Sequence, residues 1–199
     1  MKNIFIIPLV LFSLISPASW GADFEKGVAA AQSGDYATAL REWTPLAEQG
    51  HAGAQKNLGL MYHNGHGVPQ DYKAAMKWYK LAAEQGYAGA QTNLGVMYRY
   101  GQGVAQDYKA AVKWYTLAAE QGDADAQNSL GVRYAKGQGV IQDNVYAHMW
   151  LNISRSNGDA TAGRTIEQLV DSMTPSQIER AQDLARECVA KNYKGCRAN

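Results

Sequence analysis

The chain has no excess of charge of either sign and no run of basic residues. Its 199 residues include 19 Lys and Arg against 18 Asp and Glu, which gives a formal net charge of +1. Proteins that bind nucleic acid or acidic membrane surfaces electrostatically carry a basic patch or stripe. The charge balance therefore predicts that neither nucleic acid nor a membrane surface is the partner.

Long apolar runs are also absent after the first twenty residues. Residues 1–21 have a short basic start, an apolar run and small residues at the −3 and −1 places of a cleavage site near Gly21. A transmembrane anchor needs about 20 continuous apolar residues, and Pro8 interrupts this run. The pattern predicts a Sec-type signal peptide and a periplasmic or secreted product, with cleavage after Ala18 or Ala22 as alternatives.

Cysteine is scarce, and the two cysteines, Cys188 and Cys196, lie near the carboxyl terminus. Two cysteines eight residues apart are compatible with a redox pair or with a structural disulfide. Because the predicted signal peptide directs the chain to an oxidising compartment, the spacing favours a structural disulfide between them.

Motifs for catalysis, metal binding or cofactor binding are missing as well. No G-x-S-x-G, S-x-x-K or H-E-x-x-H pattern is present. His63 and His66 are spaced as a pair of metal ligands, but no cysteine or third histidine lies near them, so a solvated loop is favoured. For His148, packing or exposure is favoured over a role as a base. We predict no catalytic residue, no metal and no cofactor.

Repetition is the dominant feature that the sequence does contain. Residues 51–86 and 87–122 align without a gap and are identical at 27 of 36 positions. A fixed period between 20 and 50 residues is typical of stacked supersecondary units. The same 36-residue spacing separates four aspartates, namely Asp35, Asp71, Asp107 and Asp143.

Each unit is predicted to contain two helices. Ala54, Leu58 and Tyr62 recur at i, i+4 and i+8 and form one stripe of a first helix. Gly59 lies inside that helix, where glycine is unfavourable, and therefore indicates a close helix approach. The first helix is predicted to end at the glycines of 65–67, where φ can become positive.

The second helix of each unit is predicted to begin at an aspartate and to bury an aromatic stripe. Asp71 is a good N-cap for this helix. The stripe residues are predicted to belong to the core rather than to a ligand box. They are Trp78, Tyr79, Trp114, Tyr115 and Trp150.

The two ends of the array differ from its centre. The first unit has a shorter connection between its helices. After Gly158, Thr174, Pro175 and Gln177 form a capping-box pattern that starts a solvated capping helix. The predicted units are residues 23–50, 51–86, 87–122 and 123–158, followed by a C-terminal capping repeat at 159–199.

The pattern A-x-x-x-L-G-x-x-Y-x-x-G-x-G-V-x-x-D-x-x-x-A-x-x-W-Y-x-x-A-A-x-x-G resembles the Sel-one-like repeat, a relative of the tetratricopeptide repeat. This resemblance covers the chain from Asp23 to about Lys191. It implies an all-α fold, an α/α right-handed superhelical solenoid of about five helix-pair repeats. Some members with one disulfide per repeat are linked to β-lactam binding or hydrolysis, but this chain lacks their cysteines.

The resemblance also implies a binding surface, because in tetratricopeptide arrays the first helices line a concave groove. Four of the nine differences between residues 51–86 and 87–122 fall on the corresponding positions. Diversification of a groove for a ligand and simple drift of exposed residues both fit this distribution. The predicted groove consists of Lys56, Asn57, Leu60, His63, Asn64, Thr92, Asn93, Val96, Arg99, Tyr100, Asn128 and Ser129.

The function predicted from these features is a non-catalytic scaffold of the bacterial envelope or secreted fraction that binds a protein or peptide in the predicted groove. Stacked repeats provide extended concave surfaces for this purpose. One alternative, by family analogy alone, is a β-lactam or peptidoglycan-acting hydrolase. Another is a secreted effector that binds a host protein. Fold does not decide among these alternatives.

Overall fold

The computed structural model describes residues 22–196, so the predicted signal peptide at 1–21 lies outside the described residues. Within 22–196 the regular elements are ten α-helices and no strand. None of these helices has both the length and the apolar character needed to cross a bilayer. The helices are α1 (Phe24–Gln32), α2 (Tyr36–Glu48), α3 (Ala52–Asn64), α4 (Tyr72–Glu84), α5 (Ala88–Tyr100), α6 (Tyr108–Ala119), α7 (Ala124–Lys136), α8 (Asn144–Ser156), α9 (Ala162–Val170) and α10 (Pro175–Ala190).

The two helices of each central unit pack as an antiparallel hairpin. In the second unit, the Asp71 amide donates to the Tyr62 carbonyl across the loop, at 2.9 Å. At the opposite end of the same hairpin, Gln85 Nε2 donates to Gln55 Oε1 at 2.7 Å. The second helix of each unit then packs against the first helix of the next. The chain is therefore an all-α repeat solenoid, as the sequence predicts.

Local sequence sets the helix ends. The Asp71 carboxylate accepts hydrogen bonds from the backbone amides of Lys73 and Ala74, at 2.9 and 3.0 Å, and thereby caps α4. Gly65 ends α3 in the left-handed region, with φ of 73°. Both predicted signals are confirmed, and they recur at the next period in Asp107 and Gly101.

A glycine in each first helix receives a large side chain from the second helix. A Cβ atom at Gly59 would lie 2.5 Å from Cδ1 of Tyr79, and one at Gly95 would lie 2.5 Å from Cε1 of Tyr115. Both tyrosines are fully buried. The close approach predicted at Gly59 is confirmed, because only the absence of a side chain lets the ring reach the helix backbone.

A row of buried side-chain amides joins the units to one another. Gln91 Nε2 donates to the Ala83 carbonyl of the preceding unit at 3.1 Å, and Gln91 Oε1 accepts from Gln121 Nε2 at 2.7 Å. Gln55 and Gln127 make the equivalent pair of contacts. These glutamines therefore donate to carbonyl groups in the last turn of the second helices, where a carbonyl has no i+4 amide partner within the helix.

Gln91→Ala is expected to lower the free energy of unfolding by about 1–3 kcal/mol, because it removes two hydrogen bonds of a buried side-chain amide, those to the Ala83 carbonyl and from Gln121. The change is measured by urea unfolding followed by helical circular dichroism. Asn93→Ala, on the same helix, is the matched control and is expected to change stability by less than about 0.5 kcal/mol, since this half-buried amide makes no hydrogen bond within residues 22–196. Equal losses in the two variants would contradict the structural role of the glutamine row.

The last helix departs from the hairpin pattern. α10 packs mainly against α8, whereas α9 packs against α8 and touches α7. The predicted capping box is present: Thr174 Oγ1 accepts from the Gln177 amide, and Gln177 Oε1 accepts from the Thr174 amide. Because it packs on α8, α10 covers a face that is partly exposed to solvent on the second helices of the central units.

The predicted disulfide between Cys188 and Cys196 is present. The Cα atoms of the two residues are 5.6 Å apart, within the usual range for a bridge, and both side chains are buried. The bond ties the segment after α10 back to that helix.

Candidate functional site

The twelve residues of the predicted groove all lie on α3, α5 or α7, the first helices of three successive units. α3 and α5 approach each other near Lys56 and Gly89. Asn57, Asn93 and Ser129 occupy the same position in their units, and all three are half-buried. They form a polar row that crosses three units.

Thr92 does not belong to an exposed surface, and this part of the prediction is wrong. Only 7% of Thr92 is exposed, and its hydroxyl donates to the Ala88 carbonyl one turn earlier, at 3.2 Å. The residue in the preceding unit, Lys56, is half-exposed because its long side chain reaches past the same position. A threonine is too short to do so, and it satisfies its hydroxyl on its own helix.

Asn128 is partly exposed, but its side chain is already engaged. Its amide donates to the carboxylate of Asp159 and, at 2.9 Å, to the hydroxyl of Thr161, at the start of the next unit. Burial alone would raise the pKa of Asp159, but the hydrogen bonds from Asn128, Thr161 and Ser154 together lower this pKa below its usual value. Asn128 therefore helps to close the stack, and Ser129 is the residue that continues the polar row.

Aromatic contacts hold the far end of the predicted groove in place. The His63 ring meets the edge of Tyr72, with centroids 5.2 Å apart, and His63 Nε2 lies 3.1 Å from Gln102 Oε1. In the next unit, the Arg99 guanidinium lies over the Tyr100 ring, 4.5 Å from its centroid. Tyr100 is 57% exposed, so a large apolar ring with an adjacent cation faces solvent.

Sequence reasoning missed Arg133, a buried cation next to this surface. It occupies the position that Met61 and Met97 hold in the preceding units. Arg133 is only 2% exposed, and its guanidinium lies 5.7 Å from the centroid of the Tyr108 ring. Burial and the neighbouring Arg99 charge lower the pKa of Arg133. The sequence signal that could have revealed Arg133 is the replacement of methionine by arginine at this position of the repeat.

The hydroxyl of Tyr115 ends beside the same two cations. Burial raises the pKa of Tyr115, while the charges of Arg99 and Arg133 act in the opposite direction. The Ser129 and Arg99 side chains approach this hydroxyl, but neither makes a hydrogen bond of good geometry with it. A buried phenol without a partner is unusual, since buried polar groups are almost always hydrogen-bonded.

The histidines considered as metal ligands or as a base have packing partners. His66 stacks on Tyr36 with centroids 4.4 Å apart, and the His63 ring contacts Tyr72 instead. His148 is buried, and its Nδ1 lies 2.8 Å from Asn152 Nδ2. Burial lowers the pKa of His148. Within residues 22–196, no group of three or more His, Cys, Asp or Glu side chains is arranged to hold a metal ion.

Stacked helical hairpins with a polar row along successive first helices define a helical repeat scaffold. The Sel1 repeat model matches residues 52–87, 88–123 and 124–159, each one residue later than the units defined above. These matches cover more than half of the chain, which therefore belongs to the Sel1 repeat family. Sel1 repeat proteins are generally protein–protein interaction scaffolds and are typically non-catalytic.

Solved structures with the same architecture support this assignment. The Sel1 repeat protein from Oxalobacter formigenes superposes with a TM-score of 0.71 and 28% sequence identity, over 85% of this chain and 76% of that one. A second structure is c5321, a protective antigen present in uropathogenic Escherichia coli strains that displays an SLR fold. It superposes with a TM-score of 0.60 and 26% identity, over 87% of this chain and 46% of the antigen. Comparison with curated protein sequences gave no significant match.

Proposed function

We propose that this protein is a non-catalytic scaffold of the bacterial envelope or secreted fraction, and that it binds a protein or an extended peptide through the predicted groove on α3, α5 and α7. The observation that carries the proposal is the half-buried polar row of Asn57, Asn93 and Ser129. Its three members repeat at one position on neighbouring helices.

The chemistry of this surface suits a polypeptide partner. The side-chain amides of Asn57 and Asn93 make no hydrogen bond within the described part of the chain, so each offers a donor and an acceptor to a peptide backbone. Tyr100 and Leu60 add exposed apolar area beside the amides. Tyrosine and arginine, as at Tyr100 and Arg99, are the residue types enriched in interface hot spots.

The proposed location rests on two features. Residues 1–21 have the pattern of a secretory signal peptide. The buried Cys188–Cys196 bridge is of the kind that persists in oxidising compartments outside the cytoplasm.

The double variant Asn93→Ala/Arg99→Ala tests the proposed binding surface. We expect it to weaken capture of partners at least about tenfold, which corresponds to the loss of one hot spot worth about 1.4 kcal/mol. The wild-type and variant proteins, each without residues 1–21, are crosslinked to the native envelope fraction, and the captured proteins are quantified by mass spectrometry. The melting temperature is expected to change little, because both side chains are partly exposed.

Lys77→Ala/Lys113→Ala is the matched control. These exposed lysines occupy equivalent positions on the second helices α4 and α6, so the control changes the same two units away from the predicted groove. Capture should be retained in this variant. If the control loses partners while the groove variant keeps them, the binding surface lies on the second helices and the proposal is wrong.

A further inference from the structure

Arg133 is a cation at a position built for an apolar side chain. In the two preceding units the equivalent residues, Met61 and Met97, are buried in the core. Arg133 is buried to the same degree, and its Nε has no hydrogen-bond partner within residues 22–196. Burying a charge is unfavourable unless an opposite charge or hydrogen-bond acceptors compensate it. Within the chain, a cation–π contact between the Arg133 guanidinium and the Tyr108 ring compensates for this burial.

The charged residue nearest to Arg133 in effect is a second cation, Arg99, and not a carboxylate. Arg99 lies close enough for the two guanidinium groups to repel each other. Neither arginine forms an ion pair with a carboxylate of residues 22–196. The other groups that act on Arg133 are the tyrosines of the same cluster, Tyr100, Tyr108 and Tyr115.

The polar groups of this cluster are mainly hydrogen-bond donors. The two guanidinium groups can only donate, and the hydroxyl groups of Tyr115 and Ser129 can donate as well. Among the described residues, neither the buried Tyr115 hydroxyl nor the buried Arg133 Nε has a hydrogen-bond partner. Two unpartnered donors, each in a side chain more than nine-tenths buried, point to a missing acceptor that carries negative charge.

We propose that Arg99, Arg133, Tyr115 and Ser129 form a binding site for an oxyanion, either a carboxylate or a phosphate or sulfate group of a ligand. The planar guanidinium groups match the geometry of these anions and bind them through two parallel hydrogen bonds. The half-buried Arg99 is the more accessible of the two cations and meets the ligand from the predicted groove.

The preceding unit contains a natural comparison for this site. There, the positions of Arg99, Tyr115, Ser129 and Arg133 are held by His63, Tyr79, Asn93 and Met97. One imidazole replaces the two guanidinium groups, and Met97 restores the apolar core. The oxyanion site is therefore confined to the interface between the third and fourth units.

If the site helps to recognise a partner, its ligand is an acidic group of that partner, and this role rests on the proposed function. The site itself binds inorganic anions without any partner. Failure to bind an anion would therefore remove this inference alone, whereas undiminished partner capture by the groove variant Asn93→Ala/Arg99→Ala would remove the proposed function.

In the experiment, the chain without residues 1–21 is titrated separately with sulfate, inorganic phosphate and acetate. Each anion replaces chloride, so that the ionic strength stays constant. Binding to the folded state raises the melting temperature in a saturable way. We expect saturation in at least one series. Saturation with acetate alone identifies a carboxylate ligand, and saturation with phosphate or sulfate alone identifies a phosphorylated or sulfated group.

Arg133→Met and Arg99→His test the assignment, since each introduces the residue that the preceding unit carries at that position. The apparent affinity for the anion is expected to fall at least tenfold in both, while Lys113→Gln, which removes an exposed charge from α6, retains wild-type affinity. No saturable shift in the wild-type protein, or wild-type affinity in either variant, overturns the proposal. If Arg133→Met loses helical circular dichroism, Arg99→His decides the outcome.

Discussion

Trp150→Ala is expected to lower the free energy of unfolding by about 3–5 kcal/mol, the range for removal of a fully buried large aromatic side chain. Trp150 has no exposed surface, and it shares a core with Ala181 and Cys188 of α10. Its removal therefore opens a cavity between α8 and the helix that closes the stack. The measurement is urea unfolding followed by circular dichroism at 222 nm, which does not depend on the deleted fluorophore.

Trp78→Ala is the matched control, because Trp78 occupies the same position two units earlier. Trp78 is partly exposed, since none of the ten described helices covers α4 in the way that α10 covers α8. Its replacement is expected to cost clearly less, about 1–2 kcal/mol, because less apolar surface leaves the core. Equal losses at the two positions would show that α10 does not seal α8 in solution.

Gly95→Ala is expected to destabilise the protein by about 1–3 kcal/mol, although alanine is the better helix former by about 1 kcal/mol. The new Cβ would lie 2.5 Å from the Tyr115 ring, which is fully buried in the core. The hairpin of α5 and α6 must then open. The unfolding midpoint in urea measures the loss.

Gly89→Ala, in the same helix, separates this steric effect from helix propensity. A Cβ at Gly89 would meet its nearest neighbour, the Tyr87 ring, at an ordinary contact distance of 3.6 Å. This control is expected to be neutral or to stabilise the protein by up to about 1 kcal/mol. A loss in Gly89→Ala as large as that in Gly95→Ala would mean that the close approach of Tyr115 is not the cause.

Most of the fold was predictable because its signals are local and are repeated. A short carboxylate at Asp71 caps the amides two and three residues later, whatever the rest of the chain does. Gly65 can adopt the φ of 73° that ends α3. The 36-residue period then extends these local rules along the chain and predicts a stack of hairpins. The Thr174–Gln177 capping box could be predicted for the same reason, because its pattern is local.

The candidate site was only partly predictable, because exposure depends on residues that are distant in sequence. The repeat phase placed the polar row of Asn57, Asn93 and Ser129 correctly on successive first helices. It did not show that Thr92 turns back to its own helix, or that Asn128 reaches Asp159, since these outcomes depend on side-chain length and on the next unit.

By itself, the sequence determined the period, the helix ends, the family resemblance and the cysteine pairing, because each depends on the chemistry of a few neighbouring residues. Only the tertiary structure decided how far each repeated position is buried. Trp78 and Trp150 hold the same position, yet only Trp150 is sealed, by the docking of α10 on α8. Arg133 likewise lies where Met97 lies, and packing between units turns that substitution into two adjacent cations without a carboxylate partner among residues 22–196.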